Sequence, residues 1–504
     1  MAQIKKSKQV VQMVLDSGVT LFTDQFSDGF MSIDGTGQSV IRFKSKAFEQ
    51  WLANKFWEED EDTLSSETFK EVVRSLEGLA AHDGKKYELT TRTAKIGDSL
   101  YYDLCDKIVR IDQDGYQLDV NPPILFYRLA HQKSQDEPTD GDAQKIFEFL
   151  NLADGNQKIL FLVTLATCFI PGFPHPMFVF YGPQGSAKTT ATRIVKDLVD
   201  PSYVETLTAP DSIREFTQQA SHHALISYDN LSYMPDWLSD ALSRTITGAG
   251  FTKRVLYSDD EDILYNFQRP IAINGINLVV DRPDLLDRSI LFQLDRIPES
   301  ARRDEKGLWV KYHEAKPGIL GALFKAIAAA IPLYGKQRPS RLPRMADFYL
   351  WGLALAEPLG IKVEDFEAAY KASIRQLNDE AIEANPVGPA IIELARDGDW
   401  EGTPQDLFTL LNEKAESLKI DLKSRYWPKD PRTIWKRIER VKHNLEVEGI
   451  KVDRDRASGG GRIIKISHIS NELDEIVQAA AEVFGGGGCV NTVNTSPINR
   501  GKHG

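Results

Sequence analysis

The sequence predicts an α/β core set between a small α+β domain and a C-terminal winged-helix module, and three observations carry that reading. A short apolar run, Met177–Tyr181, passes through the glycine-bearing turn Gly182–Thr190 into a stretch with Ala191, Ile194, Val195 and Leu198 at helical spacing. Three later apolar runs each abut a polar residue: Asp229-Asn230, Asn274 and Arg288. Between Arg432 and Arg462 a basic helical pattern leads into a basic hairpin pattern. At 504 residues the chain exceeds a single hydrophobic core. The expected divisions are 1–140, an α+β domain of unassigned role; 141–384, the core with a helical lid; 385–470, the winged helix; and 471–504, a largely disordered tail.

Composition narrows the classes of function. The chain is 42% hydrophobic and 27% charged, an ordinary globular balance. Its net charge of −12 excludes a general electrostatic attraction to nucleic acid, so any such binding needs a local basic patch. Cys105, Cys168 and Cys489 are too scattered for a zinc site or a disulfide frame. With no apolar leader and no membrane-length apolar segment, the expectation is a cytoplasmic protein without a membrane partner.

In the first part, a helix over residues 4–16, strands near Val19–Phe22 and Val40–Phe43, and helices near Ala47–Phe56 and Glu67–Ala81 precede a β-rich passage from Tyr87 to Tyr127. The acidic run Glu58–Asp62 reads as a solvated loop, and no Asp-x-Asp pair on a strand offers a two-metal primase site. The polar stretch Gln132–Asp142 reads as a linker. Helices near Ala143–Leu152 and Gln157–Cys168 then lead to the core.

The turn Gly182-Pro183-Gln184-Gly185-Ser186-Ala187-Lys188-Thr189-Thr190 has the layout of a phosphate-binding loop, with Ala187 where glycine usually precedes the lysine. Gly182 and Gly185 let successive N–H groups point at a di- or triphosphate, and the following helix adds its positive end. Lys188 is expected on the β/γ-phosphates and the Thr189 hydroxyl on Mg²⁺, so ATP and Mg²⁺ are the expected cofactors. Ala187 is expected to enter helical φ/ψ, where glycine is not required. On later strands of the same sheet, Asp229 suits Mg²⁺ and Asn230 the attacking water. Asn230 is a weaker base than the glutamate many ATPases carry there. Asn274 is placed to sense the γ-phosphate, and Arg288 to reach a neighbouring subunit's site.

This order of loop, Asp-Asn, Asn and Arg resembles the AAA+ ATPases, in particular the minichromosome-maintenance (MCM)-like and superfamily 3 replicative helicases of bacterial mobile elements and phages. Ala-Lys-Thr at the loop and Leu285-Leu-Asp-Arg-Ser-Ile-Leu-Phe-Gln-Leu-Asp are similar to the MCM forms; Asp229-Asn230 is nearer to superfamily 3. The resemblance implies a hexameric, ATP-driven DNA helicase, with Thr189 and Asp229 on Mg²⁺, Asn274 as sensor, Arg288 as trans-acting finger, and Arg302 or Arg303 as a second sensor. It also implies a pore hairpin ahead of Asn274. Val255–Tyr257 and Ile263–Tyr265 are its candidate strands across the acidic turn Asp259–Asp262, and Lys253 and Arg254 its phosphate contacts, against the plainer reading of a surface hairpin.

Beyond a helix-rich stretch with an apolar helix over Ile319–Ala330, a new unit opens at Asn385. Helices near Ala390–Ala395 and Pro404–Leu418 precede one long helix to Glu448, with Trp435, Ile438, Val441 and Leu445 on one stripe and Arg432, Lys436, Arg440 and His443 on the next. Gly449 ends it, and Lys451–Asp455 pairs with Ile463–Ile466 as a wing bearing Arg454, Arg456 and Arg462. These cations are the expected duplex-DNA contacts, with protein contact as the other use of such a module. The leading expectation is a ring helicase for a mobile element or phage. The alternatives are a nucleotide-switched initiator or regulator, and a defence-type NTPase.

Overall fold

The computed structural model describes residues 2–33, 40–119, 124–254, 262–265, 267–276, 280, 282–337, 339, 341–424, 427–456 and 462–469. The fold is mixed α/β, with several small sheets, and divides into two units, Met1–Leu377 and Asn378–Gly504.

In the first unit, helices Ala2–Asp16, Lys46–Asp60 and Ser66–His82 bury Val14, Phe48, Leu52, Val72 and Leu76 against a small sheet. Ser45 and Ser65 start two of these helices by accepting the N–H groups of Phe48 and Thr68. The acidic run closes the second helix in solvent, and Asp62 takes Lys6 at 2.7 Å. The strand Gly29–Ser32 had no alternating pattern to reveal it, because all four residues are buried. A four-stranded antiparallel meander, Thr93–Ile96 to Gly115–Asp119, follows.

The stretch read as a linker is instead a packed strap. Gln135 is buried and its side-chain amide donates to the Leu198 carbonyl at 2.8 Å, while Thr139 N–H donates to the Pro317 carbonyl at 2.9 Å. The strap lies so close to helix Glu305–Ala330 that a Cβ at Gly321 would stand 1.9 Å from the Thr139 oxygen. That helix is also longer than the apolar pattern indicated. By length and composition alone the stretch Glu305–Leu333 is sufficient to cross a membrane, contrary to the expectation above. Its polar first half and Pro317 obscured this in the sequence, and Tyr312, Ile319, Leu320, Leu323, Phe324 and Ile327 are buried inside the unit. The helix expected over Ala143–Leu152 is only a 3-10 turn, Ala143–Glu148, after which Asp154 caps the next helix, Gly155–Thr167.

The core is a four-stranded parallel sheet in the order Ile226–Tyr228, Ile271–Gly275, Met177–Tyr181, Ser289–Gln293. Leu207 adds a parallel bridge beyond Tyr228. The central strand is buried along its whole length, so it reads as a continuous apolar run rather than an alternating one. Its partners set the register that matters: Phe180 lies opposite Asn274, and Tyr181 opposite Gly275.

The second unit packs helices Val387–Ala395, Pro404–Ser417, Pro431–Ile438 and Lys442–Val447 on an antiparallel sheet ordered Trp400–Gly402, Arg462–His468, Ile450–Arg456. Two features differ from the sequence reading. The three-residue strand Trp400–Gly402 was too short to show a pattern. The long basic helix is two helices, broken at Val441 (φ −116°, ψ 3°). The break turns the second piece so that buried Asn444 donates to Asn378 at 3.0 Å, a tertiary bond that local periodicity cannot report. The expected tail, residues 471–504, and the acidic turn 259–261 lie outside the described residues.

Candidate functional site

The turn after strand Met177–Tyr181 is shaped by close approach. Gly182 has φ +144°, and a Cβ there would stand 2.1 Å from the Leu294 oxygen. Gly185 has φ +80°. Ala187 departs from expectation: it is left-handed, φ +64° and ψ 30°, rather than helical. An L-residue there costs roughly 1–2 kcal/mol relative to the right-handed region. Ala187 makes no side-chain cap, so helix Lys188–Val199 starts with its first N–H groups uncapped by its own N-cap side chain and its positive end at the loop. Asn151, which no motif singled out, clasps the loop from outside by donating to the carbonyls of Ser186 (3.1 Å) and Asp295 (2.6 Å).

Lys188 folds over the turn. Its ammonium donates to the carbonyls of Gly182 and Pro183, both at 2.8 Å, and to Ser186 Oγ at 3.3 Å. Partial burial lowers its pKa, and Asp229 opposes that shift. Pro183, Gln184 and Gly185 are exposed on the outer side, and Thr190 sits in the helix's first turn behind Thr189.

Two strand ends and a helix start converge on one carboxylate. The Thr189 hydroxyl donates to Asp229 Oδ1 at 2.9 Å, and the Asn274 amide donates to the same oxygen at 2.8 Å. Asn274 is 1% exposed and is held on every side. Its amide also donates to Thr192 Oγ1 (2.9 Å), and its oxygen accepts the Asn230 N–H (3.0 Å). Asn230 itself is exposed and left-handed, φ +53°. The sequence offered no signal for Thr192, which acts here only because it lies one helical turn beyond Lys188. A helix start behind a glycine-shaped turn, with a lysine, a hydroxyl and a carboxylate beside it, offers donors and acceptors of the kind that a phosphate chain and a hard divalent cation take. Among the described residues no group of three or more His, Cys, Asp or Glu is arranged to hold a metal by itself.

Arg288 is not part of that convergence. Its carbonyl accepts the Met177 N–H at 2.8 Å, which puts it at the opposite end of the parallel strands from the loop. At about 3.3 Å per residue, the strand between keeps it well over 10 Å from its own loop. Its guanidinium is paired with Asp284 at 2.5 Å, and Asp284 is shared with Arg344, which also pairs with Asp287. Arg302 lies 3.9 Å from Glu299, and Arg303 donates to the Glu148 carbonyl at 2.7 Å. The hairpin pairs Phe251–Arg254 with Asp262–Tyr265, so Lys253 lies opposite Ile263 and Arg254 opposite Asp262. Asp262 is therefore a strand residue, and the expected strand Val255–Tyr257 lies outside the described residues.

In the second unit the hairpin alternation sorts charge by face. Ile450 and Val452 meet Ile466 and Ile464 in the core, and Arg454, Arg456 and Arg462 continue that same face beyond it. Asp453 and Asp455 point the other way, into pairs with Lys442, Lys451 and Lys465. Arg454 stacks over Trp435 at 5.7 Å. With Arg432 it lines a groove of about 690 Å³ between the starts of helices Pro404–Ser417 and Pro431–Ile438 and the hairpin. Arg432, Lys436, Arg440, Arg454, Arg456 and Arg462 are all exposed, and none makes an ion pair among the described residues. Arg440 falls in the break between the two helices, so the basic row is shorter than a continuous helix would make it.

A mixed α/β fold with these two sites belongs to a replication-associated protein of a mobile genetic element, a class that comparison with known families defines. Residues 143–380 match the family described as actinomycete integrative conjugative element replication protein, and residues 387–481 match the C-terminal domain of the same RepA family. Together the two matches span roughly two thirds of the chain, which belongs to this replication-protein family rather than specifically to the MCM-like helicases. No curated protein matches the sequence. Among solved structures, the A-form apo structure of the NrS-1 C-terminal region is 12% identical, with a TM-score of 0.41 over 91% of this chain and 99% of that one. A second structure of that region is also 12% identical, with a TM-score of 0.39 over 91% and 98%.

Proposed function

We propose that the chain is a nucleotide-switched, DNA-binding replication initiator, in which ATP with Mg²⁺ at the Gly182–Thr190 loop governs how the protein engages its element's DNA. The observation that carries the reading is the single Asp229 oxygen shared by Thr189 and Asn274 at the mouth of a glycine-shaped loop. In an AAA+ reading of the core, Lys188 and the loop N–H groups hold the phosphates, and Thr189 and Asp229 hold Mg²⁺. Bound Mg²⁺-ATP supplies the phosphoanhydride and the charge neutralisation for its cleavage. Asn274 holds Asp229 in place, and Asn230, an amide with little basicity, orients water without taking its proton, which suits slow turnover and a switch. The C-terminal unit, read as a winged helix, supplies duplex contacts through its unpaired cations. Lys188→Ala is expected to abolish ATP binding measured by calorimetry. Asp229→Asn is expected to keep binding and lose hydrolysis by about a hundredfold or more. ATP binding undiminished in Lys188→Ala sinks the proposal.

A second reading, a ring-forming helicase with single-stranded DNA in its pore, is favoured by one observation: Arg288 sits at the sheet end away from its own loop, so that a nucleotide contact from it would have to be made to a neighbouring copy. Mixing Lys188→Ala with Arg288→Ala protein tests it. Recovery of hydrolysis in the mixture, with strand separation of forked DNA by the unaltered protein, selects the helicase. No recovery and no unwinding leave the initiator.

A further inference from the structure

At the end of the parallel sheet opposite the Gly182–Thr190 loop, a cavity of about 810 Å³ opens between the N-terminal meander and the turns that feed the sheet's strands. Its wall carries Arg269, Gln268, His175, Thr90 and Lys95 against one lining carboxylate, Glu88. Arg269 Nε, His175 Nδ1 and Thr90 Oγ1 are sealed from solvent and have no hydrogen-bond partner among the described residues. Buried polar groups are normally satisfied, so three orphans on one cavity wall need an explanation.

Charge gives it. Asp200 is the carboxylate that acts on Arg269, and it is already bonded to Arg92 (3.0 Å) and Lys196 (2.6 Å), both buried. Arg92 spends its remaining donors on neutral carbonyls and on Cys105. Burial keeps His175 and His223 neutral, with pKa values near 3. Three cations therefore share one anion, two of them buried with it and Arg269 half-buried at the cavity wall, a balance that proteins avoid. Of the three, only Arg269 lines the cavity.

We propose that this cavity is a second anion site, taking a phosphate-bearing ligand whose charged group pairs with Arg269 and whose remainder lies along Lys95, Ile96 and Leu125. A planar guanidinium suits a phosphate, and the exposed Lys95 and Ile96 offer charge and an apolar wall at the rim. The phosphate comes from a mononucleotide or from a single DNA strand. Gly248 and Gln268, which flank the hairpin Phe251–Arg254 and Asp262–Tyr265, also line the cavity, so its occupant touches the hairpin's root. The site is separate from the Gly182–Thr190 loop and does not depend on what that loop binds.

The test uses the full chain carrying Lys188→Ala, so that the loop contributes no phosphate binding, titrated with ADP, inorganic pyrophosphate and a fluorescein-labelled oligothymidylate. At least one probe is expected to bind, and Arg269→Gln in the same background is expected to weaken it about tenfold or more. Weakening confined to the oligothymidylate assigns the phosphate to a DNA strand; weakening of ADP and pyrophosphate assigns it to a mononucleotide. Because Arg269 is unbalanced, Arg269→Gln is expected to hold or raise the ligand-free melting temperature. Should that variant not fold, Lys95→Glu at the rim is expected to weaken the same probe. Affinities unchanged in both variants, no binding of any probe, or a lowered melting temperature with unchanged affinity overturns the proposal.

Discussion

At the scale of single residues, Ala187 is the most informative position in the loop. A left-handed alanine between Ser186 and Lys188 means that the backbone there has the conformation glycine usually supplies. Relief of that strain outweighs or matches the extra chain entropy that glycine brings. Ala187→Gly is therefore expected to be neutral or to stabilise by up to about 1 kcal/mol in urea unfolding, and Ala187→Val to destabilise by more than that. Asn274 makes the complementary point. One buried amide is bonded to Asp229, Thr192 and the Asn230 backbone, so its identity as a strand-ending polar residue was readable, but its three partners were not.

Among the elements, the strap and the hairpin of the second unit yield the clearest expectations. The strap depends on the missing side chain at Gly321, where any Cβ meets the Thr139 oxygen. Gly321→Val is expected to cost about 1–3 kcal/mol and to expose residues 132–142 to limited proteolysis that the unaltered chain resists. The hairpin places three arginines on one face because side chains alternate along paired strands, and a slip of one residue would turn all of them to the other side. If that face carries DNA, Arg454→Ala and Arg462→Ala are each expected to weaken duplex binding and lower the salt-dependence slope by about one. Binding and slope unchanged in the double variant would remove the hairpin from the interface. Strand pairing was legible here because alternation and a glycine-rich turn are local. The break at Val441 was not, because the bond from Asn444 to Asn378 that accompanies it is tertiary.

For the molecule as a whole, buried histidines set the response to acid. Burial pushes His175 down to about 3 from an ordinary 6.5; burial, then Lys196 and His131, do the same to His223. Both bind protons more readily when unfolded, so their contribution to stability is complete above pH 6.5 and is lost as pH falls toward 3. Each adds a slope of about 1.4 kcal/mol per pH unit across that window. Burial would raise the Asp200 carboxyl, yet Lys196 and Arg92 hold it below its usual range, so its contribution disappears at still lower pH. Urea unfolding at a series of pH values is expected to show this steepening below pH 6.5. Burial lowers His131 and His222 as well, so His223→Asn, which removes one of several such groups, is expected to make the slope shallower without abolishing it if it folds with the same denaturant dependence.

The amino-acid order by itself determined the central strand, the glycine turn and the helix after it, the later strands with their polar ends, and the alternation of the C-terminal hairpin. All of these follow from periodicity and turn chemistry within a few residues. Only the tertiary structure decided that Asp229, Asn274, Thr189 and Thr192 meet, that Arg288 stands at the far end of the sheet, that a polar stretch is a packed strap, and that Arg269, which shares Asp200 with two other cations, faces a cavity. Those facts depend on strand order and on which groups lose water together, and neither is written in the spacing of residues along a chain.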